Sequence, residues 1–172
     1  MRRTGVIMAF GALLSMIAGA ATAAPALAGG RGDGWVYQDF GLGFTTDNCG
    51  FRIEATQDVD QVFAKVLKTV GGSTIFLFTG SAKITFTNPA NGKSVSVNSS
   101  GPAEFIANAD GSGTFRATGR GPNDLSPADA ARFELPAVFA SAGPVTGAVD
   151  ANGNFTSLNV GHILVNVCAV LS

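Results

Sequence analysis

The stretch GGSTIFLFTGSAKITFTNPANGKSVSVN, residues 71–98, decides how this chain folds. It opens on Gly71-Gly72 and carries Asn91-Gly92 twenty residues later, dipeptides that supply the positive φ angles of a tight hairpin turn. Between them Ala82, Ile84 and Phe86 alternate with Lys83, Thr85 and Thr87; beyond the second, Val95 and Val97 alternate with Ser94, Ser96 and Asn98. A period of two is that of a strand with one buried face. The run Ile75-Phe76-Leu77-Phe78 is apolar on both faces, which marks a central strand or one covered on both sides.

The same punctuation continues outward. Asp110-Gly111 follows Asn91-Gly92 by 19 residues, and Asn152-Gly153 follows after 42, about two such units. Gly80-Ser81, Ser100-Gly101-Pro102 and Gly121-Pro122 read as secondary breaks, so the pattern predicts a β-meander of segments roughly eight residues long. Phe115 and Ala117 alternate with Thr114, Arg116 and Thr118, and Cys49, Phe51 and Ile53 share a face opposite Arg52 and Glu54. Val59, Val62, Phe63, Val66, Leu67 and Val70 fit either an amphipathic helix or a strand running into the Gly-Gly turn. Their β-branched content and the meander that follows favour the strand. One short helix is predicted over 127–133, with Ser126 as N-cap, Pro127 in its first position and Asp129 in its first turn, ending before Pro136. The sum is an all-β chain of about eight antiparallel strands closed into a small barrel, with a two-sheet sandwich as the competing architecture.

At the N-terminus Arg2 and Arg3 precede an apolar stretch from Val6 to about Ile17, followed by the small-residue signatures Ala21-Thr22-Ala23 and Ala26-Leu27-Ala28. That order is the pattern of a secretory signal peptide. It divides the chain into a signal peptide (1–28), a flexible N-terminal arm (29–47) and a single β domain (48–172), with cleavage after Ala23 as the alternative. The expected location is secreted, with no membrane span after cleavage. Without Arg2 and Arg3, nine basic residues face twelve acidic ones and no basic run remains, which argues against nucleic acid as a partner. The two cysteines, Cys49 and Cys168, admit one pairing in an oxidising compartment. In an up-and-down barrel the first and last strands are neighbours, so that disulfide would staple the closure seam. Two cysteines without CxxC spacing and one distant histidine make no zinc signature, so no metal and no cofactor is expected. The domain is expected to be a monomer.

The block Thr85-Phe86-Thr87-Asn88-Pro89, followed by Gly92-Lys93-Ser94-Val95-Ser96-Val97-Asn98 and Ser100-Gly101-Pro102, resembles a segment of small exported β-rich proteins of actinobacteria. Cys49-Gly50-Phe51 and Val165-Asn166-Val167-Cys168 resemble the same group. That group is uncharacterised, so the resemblance implies secretion and an all-β fold and names no activity. It also implies an acidic residue where this chain has Asn166.

His162 is the one side chain whose ordinary pKa lies near neutrality. Strand parity puts His162, Leu164, Asn166 and Cys168 on one face, so an inward Cys168 would bring His162 and Asn166 into the barrel as polar anchors for a ligand. A solvated strand end is the plainer reading. Trp35 and Tyr37, flanked by Asp33 and Asp39, are read as packing across a barrel end or stacking on a ligand. A triad built on His162 lacks the Gly-x-Ser-x-Gly elbow. Glu54, Asp58 and Asp60 read as solvated surface. Asp150-Ala151-Asn152-Gly153-Asn154 faintly resembles a calcium loop, but Phe155 stands where such a loop needs glycine and Gly161 where it needs glutamate. Asn98-Ser99-Ser100 and Asn154-Phe155-Thr156 are formal glycosylation sequons that also serve as turn-rich polar sequence. No catalytic residue can be assigned. Three functions remain open: a binding module holding a small apolar or amphipathic molecule in the barrel, a solid-cored interaction protein of the cell exterior, or a small-barrel isomerase or cyclase.

Overall fold

A computed structural model describes residues 33–39 and 43–172. The signal peptide reading therefore lies outside the described residues, as do 29–32 and 40–42 of the arm. The chain is all-β; its described residues form ten antiparallel strands and two short helices: β1 Val36–Tyr37, β2 Gly43–Thr46, β3 Ile53–Val70, β4 Ser73–Thr87, β5 Ser94–Ser100, β6 Ala103–Ala107, β7 Gly113–Ala117, β8 Arg120–Asp124, α1 Pro127–Phe133, β9 Val138–Val149, β10 Phe155–Asn166 and α2 Val167–Leu171. The ambiguous segment at 59–70 is strand. Part of the arm is strand as well: Val36 and Tyr37 pair with Ala64 and Phe63, and β2 pairs with the start of β3.

Two long strands organise the sheet. One edge of β4 is taken by β3; the other is shared end to end by β5 and β6 in a single unbroken register. One edge of β9 is taken by β10, and the other is shared by β8 and β7 in the same way. The β6–β7 and β5–β8 pairings complete a closed, barrel-like ring of six strands, β4-β5-β8-β9-β7-β6, unevenly disposed about its axis. Strands β5 and β8 meet only at Ser100 and Arg120. From that point β5 stays with β4 and β8 stays with β9, so the sheet forks.

A row of glycines crosses the sheet at the fork. The pairings flanking them align Gly80 with Gly101, Gly101 with Gly119 and Gly119 with Gly143. Gly143 N donates to Gly119 O at 3.0 Å. A Cβ on Gly119 would stand 1.6 Å from Ser100 O, and one on Gly80 would stand 2.1 Å from Gln61 O. Only glycine allows the strands to pass this closely, the usual condition of a sharply bent sheet corner. Gly80 therefore marks a bend inside an unbroken β4, where the sequence pattern predicts a break.

The turns differ in detail from the sequence expectation. Gly71 and Gly72, with φ of 59° and 87°, form the two-residue hairpin. At Asn91-Gly92, Asp110-Gly111 and Asn152-Gly153 only the glycine has positive φ, because the loops are longer. Asn88, Asp110 and Asp150 accept hydrogen bonds from the backbone N–H two residues on, which helps to shape each loop while glycine takes its left-handed position.

Two cores lie on either side of the fork. The first gathers Phe78, Phe105, Phe115, Phe139 and Phe155 with Val145, Val149 and Leu125. Helix α1 closes it. Ser126 Oγ accepts from Asp129 N at 3.1 Å as N-cap, Ala130 is buried, and Arg132 donates to Phe155 O at 2.8 Å. The second core lies between the diverging strands and packs Ile53, Phe86 and Val97 against Val138, Ala140, Val167 and Leu171. Cys49 and Cys168 form a disulfide at the margin of this core, with a Cα–Cα distance of 5.3 Å. It does not staple two strands. Cys49 lies in the turn between β2 and β3, Cys168 lies in α2, and β3 and β10 are not hydrogen-bonded partners.

Candidate functional site

A cleft of about 200 Å³ opens over the glycine row, between the two cores. Its walls are apolar: Phe44, Ala55, Val62, Phe78, Ala82, Ile84, Ala103, Ala117 and Val145. The hollow exists because side chains are missing from its lining. Gly80, Gly101, Gly119, Gly121 and Gly143 all line it. A Cβ on Gly143 would meet nothing within 4 Å, and one on Gly121 would meet only Ser99 Oγ at 3.4 Å. Phenylalanines fill the aromatic core on one side of the space, and the glycine row keeps them out of the middle. Apolar cavities of about 150 Å³ hold a molecule the size of benzene, whereas drug-sized ligands occupy about 300 Å³ or more. The cleft suits something slightly larger than one ring.

Its polar groups sit toward the fork. Asn123 Nδ2 donates to Ser141 Oγ at 2.9 Å and to Gly121 O at 3.3 Å, so both amide protons are in use. Ser141 is 2% exposed, and its oxygen is held as an acceptor by Asn123. Arg120 is exposed and is the one charged residue in the lining. It shares a face of β8 with Pro122 and Asp124, both buried.

Asp124 lies on that face farther into the fork. It is 5% exposed; Oδ1 accepts from Asn48 Nδ2 at 2.7 Å and from Thr46 Oγ1 at 3.3 Å, while Oδ2 is buried with no partner among the described residues. Loss of hydration pushes its pKa up to about 6, against the smaller lowering effect of the Asn48 and Thr46 hydrogen bonds. The carboxyl ties β8 to the end of β2 and to the residue beside Cys49. Sequence reading passed over it, because its partners stand more than seventy residues away.

The residues singled out from the sequence do not converge. His162 is exposed on β10 opposite Ala142, and register shifts on either side of it break the simple parity that aimed it inward. Asn166 is exposed and serves as N-cap of α2, accepting from Ala169 N at 3.1 Å. Trp35 is half-buried beside β1. Tyr37 packs edge-on against Phe63 with centroids 6.0 Å apart; partial desolvation and then the Asp60 carboxylate raise its phenol pKa. None of the four lines the cleft. Cys49 and Cys168 do meet, as the disulfide. In the calcium-like loop, Asp150 turns its carboxylate onto Asn152 N, Asn154 N and Asn154 Nδ2, which holds its pKa below the usual range. Among the described residues no group of three or more His, Cys, Asp or Glu is placed to hold a metal ion, and no helix is long and apolar enough to cross a membrane. No family model, curated protein or solved structure matches this chain.

Proposed function

We propose that the protein is a secreted binding module that holds a small apolar or amphipathic molecule in the cleft over the glycine row. The observation that carries this reading is an apolar space kept open by glycine beside a core that phenylalanine packs fully. Interiors otherwise pack to crystal-like density, and an unfilled apolar lining forgoes contacts it would make in a filled core. The Cys49–Cys168 disulfide suits an oxidising compartment, and the N-terminal charge-apolar-small pattern suits export.

The test is an NMR titration of ¹⁵N-labelled protein with octan-1-ol. Shifts confined to cleft residues such as Ala82, Ala103 and Val145 are expected. They should vanish in Gly121→Leu, which adds a bulky side chain at a lining position without positive φ. Shifts that persist in the plugged variant, or that never appear in the wild type, would sink the reading. Near-ultraviolet circular dichroism of Gly121→Leu controls for its fold.

A further inference from the structure

The chemistry of the cleft also selects among amphipathic ligands. Building on the binding reading above, we infer that the molecule it takes carries an acidic head, a carboxylate or similar anion, held by Arg120, and an apolar body laid over the glycine row.

The Arg120 guanidinium makes no hydrogen bond or ion pair among the described residues, although its five donors suit a carboxylate better than any neutral group. No Asp or Glu lines the cleft, so nothing within it competes for that charge. In the β8–β9 register Arg120 stands opposite Ala142 and Gly121 opposite Ser141, so Arg120 and Ser141 project from opposite faces and the guanidinium is the charged group the cleft offers. A cationic end and an apolar remainder complement a monoanion with a hydrocarbon body. A cationic ligand would meet Arg120 as a like charge. A neutral alcohol would leave the guanidinium without a counter-charge.

Calorimetric titration of the full-length mature protein at pH 8 with octanoate, octan-1-ol and octylamine separates these cases. Octanoate should bind roughly tenfold more tightly than octan-1-ol, the order expected of one partly solvated charge-assisted contact, and octylamine should bind most weakly. In Arg120→Gln the ratio of octanoate to octan-1-ol affinity should fall to about one, and in Arg120→Lys most of it should return. Equal binding of octanoate and octan-1-ol by the wild type overturns the acidic head and leaves the cleft reading standing. So does a preference that survives in Arg120→Gln. If none of the three binds, or if octanoate still binds Gly121→Leu with wild-type affinity, both readings fall together. Arg120 is exposed, so its variants should fold; thermal denaturation of each checks that before binding is compared.

Discussion

On one side of the glycine row the core is aromatic, with Phe78, Phe105, Phe115, Phe139 and Phe155 packed beneath α1. Across the row, Phe86 is the one phenylalanine among the buried members, and a disulfide, an Asn–carbonyl contact and a buried carboxyl do much of the joining. The difference follows from the fork. Where β6, β7 and the C-terminal half of β9 form a continuous sheet, large side chains on one face fill the space and the backbone is paired throughout. Where β5 and β8 part, each leaves an edge without its neighbour, and cross-links take the place of strand pairing. One side is held by packing, the other by ties between segments distant in sequence.

The largest expected effects test that contrast directly. Cys49→Ser with Cys168→Ser opens a loop closed over 119 residues and should cost about 4–5 kcal/mol in the chain-entropy account. Phe105→Ala, at a side chain 1% exposed, should cost about 3–5 kcal/mol through lost burial and a cavity. The two losses should differ in place. Hydrogen exchange should show weakened protection in β2 and α2 for the cysteine variant, and in β6 and β7 for the phenylalanine variant. Uniform weakening in both would mean that the two sides unfold as one unit and that the contrast has no energetic content.

Asp124 gives the next effect, with a sign set by its raised pKa. The folded chain binds this proton more tightly than the unfolded chain, whose carboxyl titrates near 3.8. The contribution to stability is therefore greatest below about pH 4, declines as pH rises toward about 6, and stays low above that. The decline amounts to about 3 kcal/mol if the full shift is realised. Asp124→Asn keeps the acceptor for Asn48 and Thr46 and removes the buried charge. Urea denaturation should find the variant more stable than wild type at pH 8 and equal to it at pH 4. Parallel stability profiles for the two proteins across that range would show that the carboxyl is not confined as described.

Much of this was legible in residues 71–98 and their continuation. Alternation gave the strands, and the Ser126-Pro127 signal located α1 to the residue. The glycine row was present but misread. Gly80 and Gly101 stand equally far from the Ala90–Asn91 turn, Gly101 and Gly119 from Asp110, and Gly143 and Gly161 from Asn152. Folding at each turn brings such pairs side by side, so their symmetry announces a row where a break had been inferred. The cleft follows from that row. Other features had no local signal. Asp124 owes its state to Thr46 and Asn48, brought to it only by the fork. His162 lost its inward face to register shifts, and Cys168 lost its place in the last strand because Asn166 caps a helix there.

The smallest expected effect sharpens the contrast between packing and ties, because each side has a short helix with a side-chain N-cap. Ser126→Ala removes the acceptor for Asp129 N and should cost about 1 kcal/mol, since α1 is otherwise held by its apolar face and by Arg132. Asn166→Ala removes the equivalent bond to Ala169 N. Helix α2, however, is also fixed by Cys168 and by Leu171 O, which accepts from Asn88 Nδ2 at 3.0 Å and Asn91 Nδ2 at 2.9 Å. The cap loss there should be the smaller of the two while the disulfide is intact. In the Cys49→Ser/Cys168→Ser background it should rise toward the Ser126→Ala value, because α2 then relies on its cap as α1 does. A double-mutant cycle measures the coupling. An Asn166→Ala cost that is the same with and without the disulfide would mean that the covalent tie does not hold the helix in place.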